Sequence, residues 1–312
     1  MFVLVTPAHN EVACVAELVA CVRGSRLPPD LWVVVDDRST DGTGDALRAA
    51  ATDLPLRVVP SGSSGGYMGF RYSEVLRAGL AAAGELESIS RLGILDCDIR
   101  FGPDYWGDLA AALDAQPRPG IVSGNLCAPT ADGGWRLEDG QRIDLPRGGL
   151  RLVAGPCLRS VGGIAFSRAP DSVMTVLART RGFGVALLPE VLAVTVRGTD
   201  SRWDTAGDWE SRGRRAYNVG QARWQVRVRA ADALRRGRGR AARALLAGYR
   251  DERRAGVQIA DPDVVRYYRR ERPAEWLRSL RCRATGQPDP HRYLAGRPVS
   301  ADEISWWRGS AH

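Results

Sequence analysis

Two aspartates, Asp96 and Asp98, are separated by one residue and follow an apolar run at residues 92–95. Carboxylates with this spacing, in the turn after a buried strand, can face one divalent ion and one ribose. Because carboxylate oxygens are hard ligands, the ions that suit them are Mg²⁺ and Mn²⁺. An ion held there would neutralise a diphosphate leaving group as its bond breaks. We therefore predict a metal-dependent transfer site here, with a pair of solvated loop acids as the simpler alternative.

Two further polar segments follow apolar runs in the same way. Asp36 and Asp37 end the run at residues 32–35, and a buried carboxylate there could accept hydrogen bonds from a nucleobase or a ribose. Ser39 or Asp41 could cap the next helix, but a turn and a cap do not require two more acids. The other segment follows the first apolar run and could hold a nucleobase through its backbone and polar side chains. It consists of Pro7, Ala8, His9, Asn10 and Glu11. Both segments therefore indicate nucleotide binding.

The elements between these segments must bring them together. Strands are predicted at residues 2–5, 32–35, 56–59, 92–95 and 121–125 and within residues 184–196. Helices are predicted at residues 12–23, 72–83 and 171–179, and a further helix ends at residue 50. Strands that alternate with helices imply crossover units and a mostly parallel sheet. Ligands bind such sheets beyond the carboxyl ends of the strands, which is where the three polar segments lie.

In this order, the three segments resemble the motifs of the family 2 glycosyltransferases, which have the GT-A fold. The marks of that family are P-x-x-N-E, then D-D-x-S-x-D-x-T, then D-x-D, and this chain carries them at residues 7–11, 36–43 and 96–98. The resemblance covers roughly residues 1–200. It implies an α/β fold with a Rossmann-like sheet. It also implies an inverting, metal-dependent transfer of a sugar from a nucleotide-diphosphate sugar to a hydroxyl or amine acceptor.

The resemblance also implies roles for particular residues. Asp98 would bind the metal ion, and Asp96 would contact the ribose or the donor sugar. Arg71 matches an arginine that the family often has after a Gly-rich turn, here at residues 65–69, but the asparagine that usually follows is replaced. The nucleoside would be held by the first two segments, namely by Pro7, Ala8, His9, Asn10, Glu11, Asp36 and Asp37.

An inverting transfer also requires a carboxylate that accepts the proton of the attacking hydroxyl. The family commonly offers an aspartate ahead of a glycine and a strand. Asp171 matches this pattern, although Pro170 replaces the glutamate that usually precedes it. Asp208 or Glu210 is the alternative, although no strand is predicted after them. A third interpretation is that Asp171 only caps a helix. Asp171 is the candidate base, and the choice stays open.

Positive charge dominates the second half of the chain. The formal net charge is +8, and all 44 basic residues are arginines, for which a bias in codon composition is the simplest explanation. Arginine is dense as far as residue 254, with Trp203, Trp209 and Trp224 interleaved. We therefore predict a nucleotide-sugar-binding and catalytic domain at residues 1–200 and a basic, mostly helical extension at 201–312. The extension could bind phosphates of a lipid-linked acceptor or be a solvated helical face, and we do not expect a nucleic acid partner.

Several other classes of protein are disfavoured. The six cysteines form no C-x-x-C pair, which indicates reduced thiols rather than a zinc ribbon. No G-x-G-x-x-G follows the first strand, as a dinucleotide-dependent dehydrogenase would require. A sugar-phosphate nucleotidyltransferase would carry a Gly-rich, lysine-bearing loop there, and this chain has no lysine. That enzyme and a nucleotide- or RNA-binding protein remain the alternatives.

Nothing in the sequence is typical of export or of membrane insertion. The apolar start is brief and lacks a basic flank, and the longest apolar stretch, residues 185–196, is interrupted by Pro189 and Glu190. We therefore expect a cytoplasmic protein that is at most peripheral on a membrane. Its acceptor is left open among small metabolites, saccharides and lipid-linked molecules.

Overall fold

The computed structural model describes residues 1–62, 70–197, 205–259 and 261–307 as a mixed α/β protein. The strands are β1 (Phe2–Ala8), β2 (Leu31–Asp36), β3 (Leu56–Pro60), β4 (Arg91–Leu95), β5 (Ile99–Phe101), β6 (Ile121–Pro129), β7 (Trp135–Leu137), β8 (Leu150–Ala154), β9 (Val185–Thr195) and β10 (Pro298–Val299). The helices are α1 (Val15–Arg23), α2 (Thr43–Ala50), α3 (Phe70–Ala83), α4 (Tyr105–Asp114), α5 (Gly155–Val161), α6 (Pro170–Thr180), α7 (Ala206–Asn218), α8 (Arg223–Arg235), α9 (Gly239–Ala255), α10 (Pro262–Arg266) and α11 (Arg272–Thr285). A π-helical turn, Tyr267–Glu271, joins α10 to α11.

The described strands form one sheet in the order β10-β7-β6-β8-β4-β1-β2-β3, and β9 pairs with β5 and β6. The predicted α/β fold is confirmed. The parallel arrangement predicted for most of the sheet holds for β1 to β4 and for the pair β6 and β9. The other ladders are antiparallel. Residues 130–134, between β6 and β7, are too few for a crossover helix, so these two strands form a hairpin.

The first half of the sheet is covered on both faces. Residues 32–35 of β2 are fully buried, as is usual in a central parallel strand between helices. Helix α3 packs closely on this part of the sheet because of Gly79, where a Cβ atom would lie 2.5 Å from Val5 and 2.9 Å from Val35. Since α3 begins with the segment that contains Arg71 and Tyr72, this close packing positions both side chains near the strand ends.

The described part of the chain after residue 205 is mostly helical, as predicted. Helices α7 and α9 pack along each other, and β10 returns to the edge of the sheet beside β7. A buried ion-pair network connects α11 to the loop before β8, since Glu275 accepts from Arg142 at 3.0 Å and from Arg179 at 2.7 Å. No helix among the described residues is long and apolar enough to cross a membrane.

Candidate active site

The carboxyl ends of β1 and β2 lie side by side, and they bring together the first two polar segments. Pro7 and Ala8 are the last residues of β1. Ala8 is in register with Asp36. Asn10 takes a left-handed backbone with φ of 55°, a conformation that asparagine tolerates better than most residues. Its side-chain oxygen accepts from the main-chain N–H of Thr40 at 2.8 Å, which ties the two segments together.

The paired acids at the end of β2 have different partners. Asp36 accepts from a main-chain N–H in the following turn at 2.9 Å. Asp37 is buried, accepts from the Ser61 hydroxyl at 2.6 Å and forms an ion pair with Nε of Arg71. Its main-chain oxygen lies 2.7 Å from Nδ1 of His9. The structure therefore brings Asp37, Arg71 and His9 together, and their binding roles stay predictions.

Asp96 and Asp98 lie at the carboxyl end of β4, beside α3. The hydroxyl of Tyr72 donates to Asp96 at 3.3 Å. Burial and then the charge of Asp98 raise the pKa of Asp96 to about 7, and Asp171 and Glu11 contribute further in the same direction. Several carboxylates thus share one electrostatic neighbourhood. The carboxylates of Asp96 and Asp98 are hard oxygen donors, the kind that Mg²⁺ and Mn²⁺ prefer.

Glu11 joins this cluster to the chain after β9. Its carboxylate forms an ion pair with Arg197, whose Nη1 donates to Oε1 at 2.8 Å. Its main-chain N–H donates to the Thr43 hydroxyl at 2.8 Å, at the start of α2. Burial raises the pKa of Glu11 above its usual value, despite the opposing charge of Arg197. Glu11 is therefore held in place by contacts with two separate elements.

A buried arginine that sequence reasoning did not select supports the turn that contains Asp96 and Asp98. Arg100 of β5 is fully buried and donates to the main-chain oxygens of Cys97 at 2.9 Å and of Cys14 at 2.8 Å. It therefore ties this turn to the segment that leads into α1. Its position inside a short apolar strand is the sequence signal that could have identified it.

Asp171 lies near Asp96, across a pair of glycines in the loop before β8. It is the second residue of α6 rather than its N-cap, so the helix-cap interpretation is wrong. A Cβ atom on Gly149 would lie 1.9 Å from Oδ2 of Asp96, and one on Gly148 would lie 3.1 Å from Oδ2 of Asp171. Arg151 of β8 is almost fully buried and donates to the main-chain oxygen of Asp171 at 3.1 Å. The two carboxylates therefore lie against the same glycine pair.

The alternative acids on α7 take part in local helix contacts. Asp208 is buried and forms a capping box with Thr205 at the start of the helix. Glu210 forms an ion pair with Arg214 at 2.7 Å, one turn further on. The residue between them, Trp209, lines the cavity beside Asp171, but neither acid lines it. The structure therefore does not bring Asp208 and Glu210 into the cluster around Asp96.

A cavity of about 880 Å³ lies between α6 and the C-terminal helices, with Asp171 in its wall. Its lining comes from the loop before β8, from α6, α7 and α8, and from the π-helical turn and α11. A volume of this size is typical of small-molecule sites. A ligand in this cavity would approach Asp171 from the side of the C-terminal helices.

Comparison with known protein families identifies the chain. The model of glycosyl transferase family 2 matches residues 3–168, which is more than half of the chain. The chain belongs to glycosyl transferase family 2. It is therefore a glycosyltransferase, as the three motifs led us to expect. A comparison with curated proteins gave no match.

Solved structures with a similar fold include other glycosyltransferases. A mannosyltransferase from Pyrobaculum calidifontis, in complex with GDP-mannose and Mn²⁺, is 19% identical over 91% of this chain and 80% of its own, with a TM-score of 0.52. TarS from S. aureus, in complex with UDP-GlcNAc, is 17% identical over 71% of this chain and 67% of its own, with a TM-score of 0.49. The likeness to the mannosyltransferase supports the GT-A fold of this family 2 enzyme.

A second cluster of metal-ligand residue types in the glycosyltransferase lies outside this site. Asp144, Glu275 and His291 have ligand atoms within 4.8 Å of one another. Arg142 already donates to Asp144 at 2.6 Å and lies 3.0 Å from Nδ1 of His291, and Arg179 donates to both carboxylates. Because two guanidinium groups neutralise the acids, we interpret this cluster as a structural ion-pair network.

Sequence reasoning missed three side chains around the site of the glycosyltransferase, namely Tyr72, Arg100 and Arg151. Two of them are arginines, a type that is common in this chain, and each of the three acts through a contact that only the fold reveals. Two features that sequence reasoning singled out, the Gly-rich turn at residues 65–69 and Trp203, lie outside the described residues.

Proposed function

We propose that this family 2 enzyme is an inverting, metal-dependent glycosyltransferase that takes its sugar from a nucleotide-diphosphate donor. The observation that carries the proposal is that Asp37 follows β2 and that Asp96 and Asp98 follow β4, the two strands that flank β1, with Asp171 near Asp96. It supports the proposal because the acids assigned to the donor and to the metal ion lie at one edge of the sheet, next to the acid assigned to the acceptor.

The donor is held by groups from the three polar segments and from the start of α3. Asp37 and Arg71 face the nucleoside, Asp96 contacts the ribose or the donor sugar, and Asp98 holds the divalent ion. When bound, Mg²⁺ or Mn²⁺ neutralises the negative charge that develops on the diphosphate as it leaves. The complex of the Pyrobaculum calidifontis mannosyltransferase with GDP-mannose and Mn²⁺ supports this class of donor and metal.

Asp171 is the group that accepts the proton of the acceptor hydroxyl. Its place in the cavity wall, next to the loop that touches Asp96, favours it over Asp208, whose carboxylate caps a helix. As the hydroxyl oxygen attacks the sugar carbon, its proton passes to Asp171, and the bond between that carbon and the diphosphate oxygen breaks. Attack on the face opposite the leaving group inverts the configuration at the sugar carbon.

The first test is a thermal-shift panel of UDP, GDP, CDP and dTDP, each with Mn²⁺, Mg²⁺ or EDTA. A ligand that binds only the folded state raises the melting temperature. We expect one diphosphate to stabilise the protein with a divalent ion and not with EDTA, and Asp98→Asn to remove this effect. Asp108→Asn, which changes an exposed acid on α4, is the matched control and should behave like wild type. If no diphosphate gives a metal-dependent shift, the proposed donor site is wrong.

The stereochemical part of the proposal has its own test. Once the panel has identified the nucleobase of the donor, proton NMR can follow the transfer of sugar from the matching nucleotide sugars, or their slow hydrolysis. An inverting enzyme converts an α-linked donor into a β-configured first product. Retention of the α configuration in the first product would show that the transfer is not inverting.

A further inference from the structure

The cavity beside Asp171 carries an excess of positive charge. Among the described residues that line it, eight are arginines and two are aspartates. One of the aspartates, Asp232, already forms ion pairs with Arg236 at 2.9 Å and with Arg235 at 3.1 Å. The other is Asp171, which is needed for the transfer. Arg142 is balanced by Asp144 and Glu275, which do not line the cavity. The excess of positive charge is therefore clearest at the lining arginines that form no ion pair with another described residue.

Three of these arginines come from three different helices and meet at this cavity. Arg215 lies on α7, Arg229 on α8 and Arg272 on α11, and none of them forms an ion pair with another described residue. Arg229 keeps an exposed surface, but partial desolvation by the groups around it lowers its pKa to about 10, with repulsion from Arg272, Arg215 and Arg212 as the further causes. Guanidinium groups that repel one another in this way are stabilised when an anion binds between them.

Tyr268 connects this arginine cluster with Asp171. The tyrosine is buried in the cavity wall, and burial raises its pKa. The charges of Arg272 and Arg215 oppose this shift, and the charge of Asp171 adds to it. One hydroxyl is therefore within electrostatic reach of both the arginines and the candidate base. A single small molecule in the cavity could contact both.

We propose that the acceptor carries a phosphate group, which Arg215, Arg229 and Arg272 bind while the hydroxyl that receives the sugar faces Asp171. This proposal rests on the function proposed above, because it assigns the acceptor of the same reaction. A phosphate ester carries nearly two negative charges at pH 7 and has three acceptor oxygens, whereas a carboxylate carries one charge. Arginine side chains recognise such oxygens through paired N–H donors. Three converging guanidinium groups therefore fit a phosphate better than a carboxylate.

The same cavity also has an exposed apolar side. Trp224 and Val228 on α8 and Trp276 on α11 line it, with 53%, 56% and 55% of their surfaces exposed. These side chains could stack on the rest of a soluble phosphorylated acceptor, or contact the acyl chains next to a phospholipid headgroup. Both sources present the same phosphate chemistry to the arginines, so the experiment must distinguish them.

The test is isothermal titration calorimetry of the full chain with inorganic pyrophosphate and with glycerol 3-phosphate, both in EDTA. Without a divalent ion the proposed donor site does not hold a diphosphate, so binding in EDTA reports the arginine cluster. We expect wild type to bind and Arg229→Gln to weaken binding at least tenfold. Arg272→Gln should do the same and guards against a folding defect in the first variant.

Arg227→Gln is the matched control, because Arg227 is exposed on the same helix and does not line the cavity. It removes one charge from α8 and should leave binding within twofold of wild type. The proposal is overturned if wild type does not bind either compound in EDTA. It is also overturned if the three variants lose affinity equally, since the anions would then bind the general surface charge.

The source of the phosphate is tested with phosphatidylcholine vesicles that contain phosphatidic acid, using flotation. If the double variant Trp224→Ser, Trp276→Ser no longer floats with the vesicles but still binds glycerol 3-phosphate, the phosphate is assigned to a lipid. Binding of glycerol 3-phosphate without flotation assigns a soluble one, and either result supports the shared chemistry. The function proposed above fails on different evidence, namely the absence of a metal-dependent nucleotide shift, so the two failures are distinguishable.

Discussion

The guanidinium group of Arg151 donates a hydrogen bond of 3.1 Å to the main-chain oxygen of Asp171. It also donates to the main-chain oxygens of Arg147 at 2.7 Å and of Pro146 at 3.0 Å, in the loop before β8. This loop continues into the glycine pair that lies against Asp96. One buried cation therefore fixes the start of α6 and the loop between the two halves of the site.

We expect Arg151→Met to uncouple catalysis from donor binding. The variant leaves buried main-chain oxygens without a donor, which costs about 3 kcal/mol of the free energy of unfolding. Because Asp171 loses its support, kcat should fall at least tenfold. The KM for the donor should change less than kcat, by under tenfold, since Arg151 acts on Asp96 only through the loop that contains the glycine pair. Initial-rate kinetics with the donor found by the thermal-shift panel measures both constants.

Arg91→Met is the matched control for this variant. Arg91 also lies on a strand of the sheet, but its side chain is 31% exposed and pairs with Asp114 at the surface. Such a pair contributes about 0–1 kcal/mol, so the control should be almost as stable and as active as wild type. Arg151→Lys keeps one donor and should recover part of kcat. An equal loss of kcat in the two methionine variants would mean that Arg151 has no positioning role.

The acid cluster should make the stability of the metal-free protein depend on pH. Burial and the charge of Asp98 raise the pKa of Asp96 to about 7, whereas in the unfolded chain it is close to its ordinary value of about 4. The folded state therefore holds a proton that the unfolded state releases between these two values. The stabilisation is present below pH 4 and is lost as the pH rises through 7.

Melting temperatures in EDTA from pH 5.5 to 8.5 test this expectation. Wild type should lose several degrees across the range, because about 1 kcal/mol corresponds to a few degrees for a chain of this size. Asp96→Asn removes the titrating group and should flatten the curve. It should also raise the melting temperature above that of wild type at pH 8.5. Parallel curves for the two proteins would show that the pKa of Asp96 is not raised.

The choice between the candidate bases can be decided by two isosteric variants. Asp171→Asn should lower kcat by about 10²–10⁴-fold, because the acceptor hydroxyl loses its proton acceptor. The metal-dependent nucleotide shift should remain, since Asp171 is not part of the donor-binding segments. Asp208→Asn should lower the melting temperature, because it weakens the capping box with Thr205, and it should change kcat by less than threefold. The opposite pattern of kcat values would assign the base to α7.

The donor-side acids could be predicted from the sequence because their position follows from a general rule. Apolar runs in alternation with helices imply parallel strands, and polar residues after such runs must meet at one edge of the sheet. Asp37 follows β2, and Asp96 and Asp98 follow β4, so all three do lie at that edge. Short local motifs were sufficient for this part of the site, since each motif follows directly the strand that positions it.

The other side of the site depends on contacts that the local sequence does not contain. Asp171 and Asp208 are both acids in the first turn of a helix, and only the fold shows that Asp171 lies beside the glycine pair. Arg100 and Arg151 are hard to recognise in a chain with 44 basic residues, all arginine. Strand β8 is only five residues long and follows a polar, glycine-containing loop, so the sequence pattern predicted no strand there.

The contact between Gly149 and Asp96 provides a test of the site that removes no functional group. A Cβ atom on Gly149 would lie 1.9 Å from Oδ2 of Asp96, so Gly149→Ala must displace the carboxylate or the loop. We expect this variant to lose most of the metal-dependent nucleotide shift. At Gly148 the corresponding atom would lie 3.1 Å from Oδ2 of Asp171, a contact that a small movement relieves. Gly148→Ala should therefore keep the nucleotide shift and lower kcat only a few-fold.

Gly107→Ala completes this series, because Gly107 lies within α4 and a Cβ atom there would meet nothing within 4 Å. Alanine in a helix is more favourable than glycine by about 1 kcal/mol, so this variant should melt slightly above wild type and bind nucleotide normally. Thermal shifts with and without the diphosphate and Mn²⁺, measured on all three variants, compare the positions directly. If Gly149→Ala keeps the full nucleotide shift, the position of the Asp96 carboxylate does not determine donor binding. The ribose or the donor sugar would then have to be bound by other groups.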